Sequence, residues 1–310
     1  MIAGAAMALS SFSVVSNSLL LPGLVTTALW SDFDNDGWQD LIVAGEWMPV
    51  TFFRNKKGVF EQVVTGNERS NSTGWWFSIA GADFDNDGDQ DYVVGNLGEN
   101  NKFKPDTYHP ISVYAKDFDG NGRTESLISY FLDGTEYSVF GRDQIASVLP
   151  SIKKKFDTYS KYASQPFSGI FSKDQLKDAL ILRATNFSSS YFENKGNGEF
   201  VIRSLPIQAQ FSAVQSFYIN DFNKDGNMDI LLGGNFFSPD FMTGRYDASI
   251  GVVMLGNGKG NFKPVEEAVS GIHFTGDVRS IVEIKVGKEK SLIIGANTNK
   301  LELYGLQASR

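Results

Sequence analysis

Residues 32–41 read DFDNDGWQDL, and residues 83–92 repeat almost the same ten letters as DFDNDGDQDY. Each decamer carries acidic side chains at alternate positions, so that four or five carboxylates stand within nine residues. Carboxylates this close repel one another and raise each other's pKa, which loosens a turn unless something compensates. An apolar run follows each decamer directly, which indicates a loop that leads into a strand.

The acidic decamer occurs four times in the chain. The third and fourth copies are DFDGNGRTES from residue 117 and DFNKDGNMDI from residue 221, so that the copies start 51, 34 and 104 residues apart. A second motif recurs as TFFRNKKGVF (51–60), YFENKGNGEF (191–200) and VMLGNGKGNF (253–262). This motif is typical of a β-hairpin, with Gly supplying the positive φ that such turns require.

Together the two motifs define a unit of strand, acidic loop, strand, strand, turn and strand. We count six such units, some of them degraded, near 24–65, 72–105, 111–141, 179–205, 212–266 and 276–307. Repeats of this length with four short antiparallel strands are typical of a β-propeller. We therefore predict an all-β fold in which residues 1–310 form a single β-propeller of about six or seven four-stranded blades.

Residues 142–178 break the repeat. Their apolar residues recur at helical spacing, at Ile145, Val148, Leu149, Ile152 and Phe156. We predict two to four short helices inserted between blades. The insertion either caps an apolar surface or serves as a lid or partner-docking element.

The acidic decamer has the ligand spacing of a calcium loop. Oxygen-bearing side chains occupy positions 1, 3, 5 and 9, Gly at position 6 allows the sharp turn, and the variable position 7 suits a backbone carbonyl ligand. The EF-hand is excluded because its bidentate Glu belongs at position 12, where this chain has Val43, Val94, Ile128 and Leu232. The predicted metal residues are Asp32, Asp34, Asp36, Trp38, Asp40, Asp83, Asp85, Asp87, Asp89, Asp91, Asp117, Asp119, Asn121, Arg123, Glu125, Asp221, Asn223, Asp225, Asn227 and Asp229.

The charge of the chain agrees with bound calcium. Lys and Arg number 28 against 36 for Asp and Glu, a formal net charge of -8, and up to four Ca²⁺ ions would neutralise it. We predict Ca²⁺ as the cofactor and prefer it to Mg²⁺, which demands a rigid octahedron and keeps its waters. The acidic balance disfavours a nucleic-acid partner. The chain has no cysteine, which excludes disulfides and thiolate metal sites.

The first 25 residues are apolar and rich in small side chains, but they lack the basic region of a signal peptide. We expect them to be the interior of a domain cut from a longer precursor. Their apolar run is too short to span a bilayer, and no transmembrane segment is predicted elsewhere in the chain.

The strand after each acidic loop ends in Gly followed by a polar residue. Equivalent positions in different blades converge near one mouth of a propeller, which makes these residues a candidate site for a polar ligand. The alternative is that their side chains satisfy backbone groups of turns. The candidate ligand-binding residues are Glu46, Trp47, Asn96, Asn235 and Asn297, with Arg245 or Arg142 nearby.

The sequence resembles the FG-GAP or VCBS repeats, the calcium-binding propeller blades of integrin α chains and many bacterial surface proteins. The resemblance is carried by FSIAGADFDNDGDQDYVVG (77–95) and ALWSDFDNDGWQDLIVAG (28–45). The helical insertion and GRYDAS (244–249) resemble the ASPIC-type proteins of bacterial cell surfaces. The resemblance implies that positions 1, 3, 5, 7 (through its carbonyl) and 9 hold Ca²⁺ in the loops named above.

We predict a calcium-stabilised, extracytoplasmic propeller that binds a protein or glycan at the cell surface, as an adhesion module of a larger protein. Millimolar extracellular calcium would keep such loops filled. The alternative is a carbohydrate-active lyase or hydrolase, or a purely structural domain. No catalytic residue is predicted, because His109 and His273 have no recognisable nucleophile partner.

Overall fold

The computed structural model describes residues 23–63, 72–196, 198–238, 244–287, 289–297 and 300–305. Most of the apolar start of the chain, with its predicted role as a domain interior, lies outside these residues.

Among these residues, twenty short strands account for most of the regular structure. In chain order they are β1 (Leu24–Ser31), β2 (Asp40–Met48), β3 (Thr51–Lys56), β4 (Val59–Val63), β5 (Gly74–Trp75), β6 (Ser78–Ala82), β7 (Asp91–Gly95), β8 (Ile111–Lys116), β9 (Glu125–Leu132), β10 (Thr135–Ser138), β11 (Leu180–Ala184), β12 (Ser190–Asn194), β13 (Phe200–Ser204), β14 (Val214–Asn220), β15 (Asp229–Gly234), β16 (Val252–Gly256), β17 (Phe262–Pro264), β18 (Asp277–Val286), β19 (Glu289–Asn297) and β20 (Glu302–Gly305). The three motifs predicted to form hairpins do so, as β3–β4, β12–β13 and β16–β17.

The strands form five antiparallel sheets. Sheet A has the order β1-β2-β3-β4 with β5 also paired to β2, and sheet B has the order β6-β7-β12-β13. Sheet C is β11-β8-β9-β10, sheet D is β14-β15-β16-β17, and sheet E is β18-β19-β20. Neighbouring sheets pack side by side in the order C, A, B, D, E, through β11 on β2, β1 on β6, β6 on β14 and β14 on β18. Sheets B, C and D have the four antiparallel strands predicted for a blade, sheet A has a fifth short strand, and sheet E has three strands among the described residues.

The number of units differs from the prediction, because the fourth predicted unit (179–205) is not a blade. Its first strand, β11, completes sheet C, and its other two strands, β12 and β13, complete sheet B. Residues 96–189, 94 residues in all, therefore separate two strands that pair directly, with Val94 opposite Ser190. Without them the second and fourth acidic loops would begin 44 residues apart, close to the 51 residues between the first two. Sheet C is thus nested inside the sequence of sheet B.

The helical insertion lies inside sheet C, between β10 and β11, and not between blades as predicted. It forms five short helices, α1 (Arg142–Val148), α2 (Ser151–Lys155), α3 (Tyr159–Ala163), α4 (Phe167–Ile170) and α5 (Lys173–Leu176). Their apolar side chains pack with Tyr114 and Leu127 of sheet C in one buried cluster. The insertion therefore caps an apolar face, and Val148, at 46% exposure, is the one predicted apolar position left outside the cluster.

The main core lies between adjacent sheets. Phe52 of sheet A stacks on Phe200 of sheet B, with ring centroids 4.0 Å apart, and Tyr191 and Met254 belong to the cluster between sheets B and D. Apolar contacts of this kind supply the main favourable free energy of the fold. Trp76 is fully buried, whereas Trp30 is 52% exposed.

Glycine at the end of the second strand lets neighbouring backbones approach. A Cβ at Gly45, Gly95 or Gly234 would lie 1.7–2.2 Å from the carbonyl oxygen of Leu24, Val214 or Ala213. No side chain fits at such a distance, so the recurring Gly of the sequence motif is a packing requirement. No helix among the described residues is long and apolar enough to cross a membrane.

Candidate functional site

The four acidic loops share one backbone conformation. The fourth residue of each loop is left-handed, with φ of 56° at Asn35, 60° at Asn86, 75° at Gly120 and 61° at Lys224. The sixth residue is a Gly with φ between 84° and 95° in every loop. Left-handed φ is accessible to Gly and, among other residues, most readily to Asn and Asp. Lys224 adopts it without that advantage, which shows that the loop geometry is imposed by the surrounding contacts.

A common set of hydrogen bonds holds each loop. The first residue accepts a hydrogen bond from the backbone N–H of the sixth, at 2.7–3.1 Å. The fifth residue accepts from the N–H of the seventh, at 2.8–2.9 Å. The ninth residue accepts from the N–H of the second, at 2.8–3.2 Å. Backbone donors thus offset part of the repulsion among the carboxylates.

The ninth residue also anchors the loop to its sheet. Asp40, Asp91 and Asp229 are fully buried, and their other oxygen accepts a hydrogen bond of 2.7–2.8 Å from the third strand or its end, at Asn55, Asn194 and Gly256. Burial raises the pKa of all three carboxyls, although the backbone hydrogen bonds oppose that shift. Each carboxylate oxygen has two acceptor sites, so these bonds leave lone pairs for a further ligand.

Three of the loops bring carboxylate oxygens within 4.8 Å of one another, a spacing that suits a shared metal ion. The groups are Asp32, Asp34 and Asp36; Asp83, Asp85 and Asp91; and Asp117, Asp119 and Glu125. In the second loop, burial and the neighbouring carboxylates Asp91 and Asp87 raise the pKa of Asp85 to about 6. A divalent cation would reverse this repulsion, because an opposite charge favours the ionised form.

Two buried oxygens in these groups have no hydrogen-bond partner among the described residues. They are Oδ1 of Asp34 and Oδ1 of Asp83, at positions 3 and 1 of their loops. A buried carboxylate oxygen without a partner is costly unless it binds a cation. The donor set is entirely oxygen, which is the chemistry that Ca²⁺ and Mg²⁺ prefer. The residues present therefore fit a hard divalent cation.

The first and fourth loops depart from this pattern. Arg54 of β3 places its Nε 2.5 Å from Oδ2 of Asp34, so the first loop receives a positive charge from its own sheet. In the fourth loop, Asn223 donates a hydrogen bond of 2.9 Å to Asp225, and three clustered carboxylates are not found among its described residues. The third loop forms such a cluster despite its Asn and Glu.

Neighbouring loops are joined through their fourth and seventh residues. The amide of Asn35 donates to Oδ1 of Asp89 at 2.7 Å, and the amide of Asn86 donates to Oδ1 of Asn227 at 2.9 Å. These bonds connect the loops of sheets A, B and D in their spatial order. The sequence suggested that position 7 varies freely, but in two loops its side chain accepts a hydrogen bond from the loop of the neighbouring sheet. The fourth position was overlooked, although Asn or Gly in three of the four copies is a signal for left-handed backbone.

The candidate ligand-binding residues differ in burial and do not all lie at one site. Asn96 and Asn235 are fully buried, and their amides bond to backbone groups such as the N–H of Leu97 and the C=O of Ser249. They satisfy turns, the alternative recognised from the sequence, and neither is open to a ligand. Asn297 is exposed, with its amide 3.3 Å from Asp277. Arg245 is exposed and lies over the ring of Phe237, and Arg142 lies over Tyr159.

Glu46 and Trp47 do reach a shared cavity, together with the residues that follow the two asparagines, Leu97 and Phe236. The ends of the second strands of sheets A, B and D therefore line one cavity. In sheets B and D the lining residue is the one after the predicted Asn. The sequence signal is the apolar residue after each Asn. His109 and His273 are half-exposed and pair with Asp106 and Glu267.

Comparison with known proteins adds one family. The model of the FG-GAP-like repeat matches residues 32–94, a segment that holds the first two acidic loops. No curated protein matches the chain. The matched segment contains the loop frame, the buried ninth residue and the first bond between loops. Residues 32–94 are therefore similar to the FG-GAP-like repeat.

Proposed function

We propose that the chain is a calcium-stabilised, propeller-like module that binds a ligand outside the cytoplasm. One observation supports this above all. Four loops far apart in sequence share one hydrogen-bonded frame, and two of them contain a buried carboxylate oxygen that has no partner in the part of the chain that the structure describes. The residues that would hold the ion are those at positions 1, 3, 5 and 9, with the carbonyl of position 7. Bound calcium supplies positive charge at the four loops and links the two strands that flank each loop.

Calcium binding can be tested on the purified chain by isothermal titration after chelation, together with thermal unfolding. We expect Ca²⁺ to raise the melting temperature reversibly and more than Mg²⁺ does, because the flexible all-oxygen loops suit the larger ion. Asp83→Asn and Asp119→Asn should each remove about one site. Unchanged melting in chelator, calcium and magnesium would refute the proposal.

The binding role, the cell-surface location and a bacterial ASPIC-type origin are further parts of the proposal. FG-GAP repeats are typical of extracellular proteins, and calcium at millimolar concentration is found there. A glycan or protein ligand is tested by array binding with analysis of products. Binding without cleavage supports the module, whereas cleavage supports the carbohydrate-active enzyme.

Among the described residues that line the cavity, Glu46 is the single carboxylate. Glycosidases generally use a pair of carboxylates that flank the scissile bond. We therefore prefer a binding module to a hydrolase.

A further inference from the structure

A cavity of about 280 Å³ lies where sheets A, B, C and D meet. It is at the opposite end of the second strands from the acidic loops. In sheet A Glu46 lies six positions after Asp40, which in a strand corresponds to roughly 20 Å. The cavity is therefore separate from the metal centres. Its volume is near the lower end of the range for small-molecule sites, roughly 300–1,000 Å³.

Aromatic side chains dominate the wall of the cavity. Seven of its twelve lining residues carry rings, among them Trp47, Trp75, Phe77 and Phe236. The rings of Trp47 and Trp75 meet edge to face with centroids 5.0 Å apart, and Phe236 lies 6.0 Å from Phe77. Because aromatic faces carry negative electrostatic potential, a cluster of rings attracts organic cations.

One charged group stands among these rings. Glu46 is the single charged residue of the described lining, and no described residue donates a hydrogen bond to its carboxylate or forms an ion pair with it. Partial burial raises the pKa of Glu46, as expected for a carboxylate that is partly removed from water without a partner. An unpaired carboxylate in an apolar pocket is costly, and a cationic ligand would compensate it.

Two further features mark the cavity as a site. Trp47 has a left-handed φ of 62°, which is uncommon for a bulky residue and recurs at ligand sites. Trp75 has a buried indole Nε1 donor with no acceptor among the described residues. Trp47 stands where the pairing of β2 with β5 shifts register between Glu46 and Met48, and such irregularities re-aim a side chain, here towards the cavity.

We propose that this cavity binds a small alkylated ammonium cation, with the aromatic rings around its methyl groups and Glu46 as its counter-charge. Anions are disfavoured by the carboxylate. Sugars are disfavoured because their hydroxyls need many polar partners, whereas the other polar side chains of the lining are Ser238 and Tyr246, besides the indole of Trp75. The inference rests on the binding role proposed above and not on its calcium part.

The test compares choline with 3,3-dimethylbutan-1-ol, which has the same shape but no charge. Both are titrated calorimetrically into the calcium-loaded chain. We expect choline to bind about tenfold tighter or more, since a desolvated cation gains from the rings and from the carboxylate. Equal affinities, or no binding of choline at millimolar concentration, would overturn the proposal.

Three variants locate the effect. In Glu46→Gln the preference for choline should disappear. In Phe236→Leu it should fall while the alcohol still binds, because leucine keeps the wall apolar but removes an aromatic face. Glu199→Gln, an exposed glutamate outside the lining, is the control and should behave as the unaltered chain. Full choline binding by Glu46→Gln would refute the role of Glu46. If a glycan or protein binds but choline does not, this inference fails and the binding module stands.

Discussion

The ninth residue of each acidic loop has a structural role that does not depend on a metal ion. Asp91 is fully buried and accepts hydrogen bonds from the backbone N–H groups of Phe84 and Asn194 and from the hydroxyl of Tyr191. These donors come from the loop and from β12, so one carboxylate joins two strands that are distant in sequence.

Asp91→Ala should therefore destabilise the protein even without calcium. Three buried donors would lose their acceptor, at a cost of about 3 kcal/mol or more. Urea unfolding in chelator measures this effect. The control is Asp87→Ala, whose exposed carboxylate receives one loop N–H and should cost less than about 1 kcal/mol in chelator. Equal losses for the two variants would contradict the structural role of position 9.

Glu46 should lower the stability of the ligand-free protein at neutral pH. Burial raises its folded-state pKa, so the folded state binds the proton more tightly than the unfolded state. Stability therefore falls as the pH rises through that pKa. Glu46→Gln should raise the melting temperature at pH 7 by about 2 °C, and the gain should shrink towards pH 4.

Calorimetry of Glu46→Gln and the exposed control Glu199→Gln across this pH range measures the effect. The comparison is made at equal pH, so that titration of the acidic loops cancels. A lower melting temperature for Glu46→Gln at pH 7 would show that the carboxylate is paired and stabilising.

At the residue scale, the sequence predicted the repeated positions of the loop residues but not the direction in which individual side chains point. Alternate oxygen positions and Gly at position 6 follow from the letters alone. For Asn96 and Asn235 the same letters fit either a ligand contact or a bond to a turn. Which of the two roles applies depends on the direction of the amide. Backbone carbonyls distant in sequence from one or both asparagines, such as those of Asn186 and Ser249, set that direction.

At the scale of elements, the loops are coupled and not independent. Asn35 of sheet A bonds to Asp89 of sheet B, and Asn86 of sheet B bonds to Asn227 of sheet D. The contact between sheets C and A has no such pair, because position 4 of the third loop is Gly120 and position 7 of the first is Trp38. The third loop therefore lacks this link to its neighbour.

A double-mutant cycle of Asn35→Ala and Asp89→Ala should reveal this coupling. We expect an interaction free energy of about 0.5–1 kcal/mol, because the bond is charge-assisted but partly solvated. Asn35→Ala combined with Asn227→Ala is the matched control and should be additive, since those residues do not touch. A zero interaction term in urea unfolding for the first pair would contradict the link.

The elements themselves were largely predictable. Hairpins and second strands follow from local periodicity and turn residues, and all three hairpins form where the sequence placed them. The helices of residues 142–176 were recognised as an insertion, but they are five and not two to four. Each is only four to seven residues long. Pro150 and Pro166 stand directly before α2 and α4, and the helical spacing of the apolar residues did not reveal every such break.

At the scale of the molecule, the pairing of β7 with β12 across a long insertion could not be predicted from the sequence. The repeat suggested six successive units, whereas the structure pairs β7 with β12 and nests sheet C between them. Repeat counting assumes that each unit is continuous. The spacing of 104 residues before the fourth loop was the one sign of the nesting, but it fits a degraded blade equally well.

Nesting predicts that sheet C and its helices can be removed as one piece. Replacing residues 96–188 by Asn-Gly would connect Gly95 to Ser189 through a two-residue turn, directly beyond the paired residues Val94 and Ser190. Sheets A, B, D and E would keep all their strands. We expect a lower melting temperature, because part of the cavity wall is lost, but a single cooperative transition by circular dichroism and three acidic loops in place of four.

The control deletion follows the unit that the sequence suggested. Removing residues 111–141 would take away β8, β9 and β10 but leave β11 without its partner, and the helices would lose Tyr114 and Leu127. An unpaired strand and an uncovered apolar face favour aggregation, so this variant should be insoluble although it removes fewer residues. If the smaller deletion folded and the larger did not, the nested arrangement would be wrong. The arrangement predicts that the strand pairings that are kept, and not the number of residues removed, decide whether the variant folds.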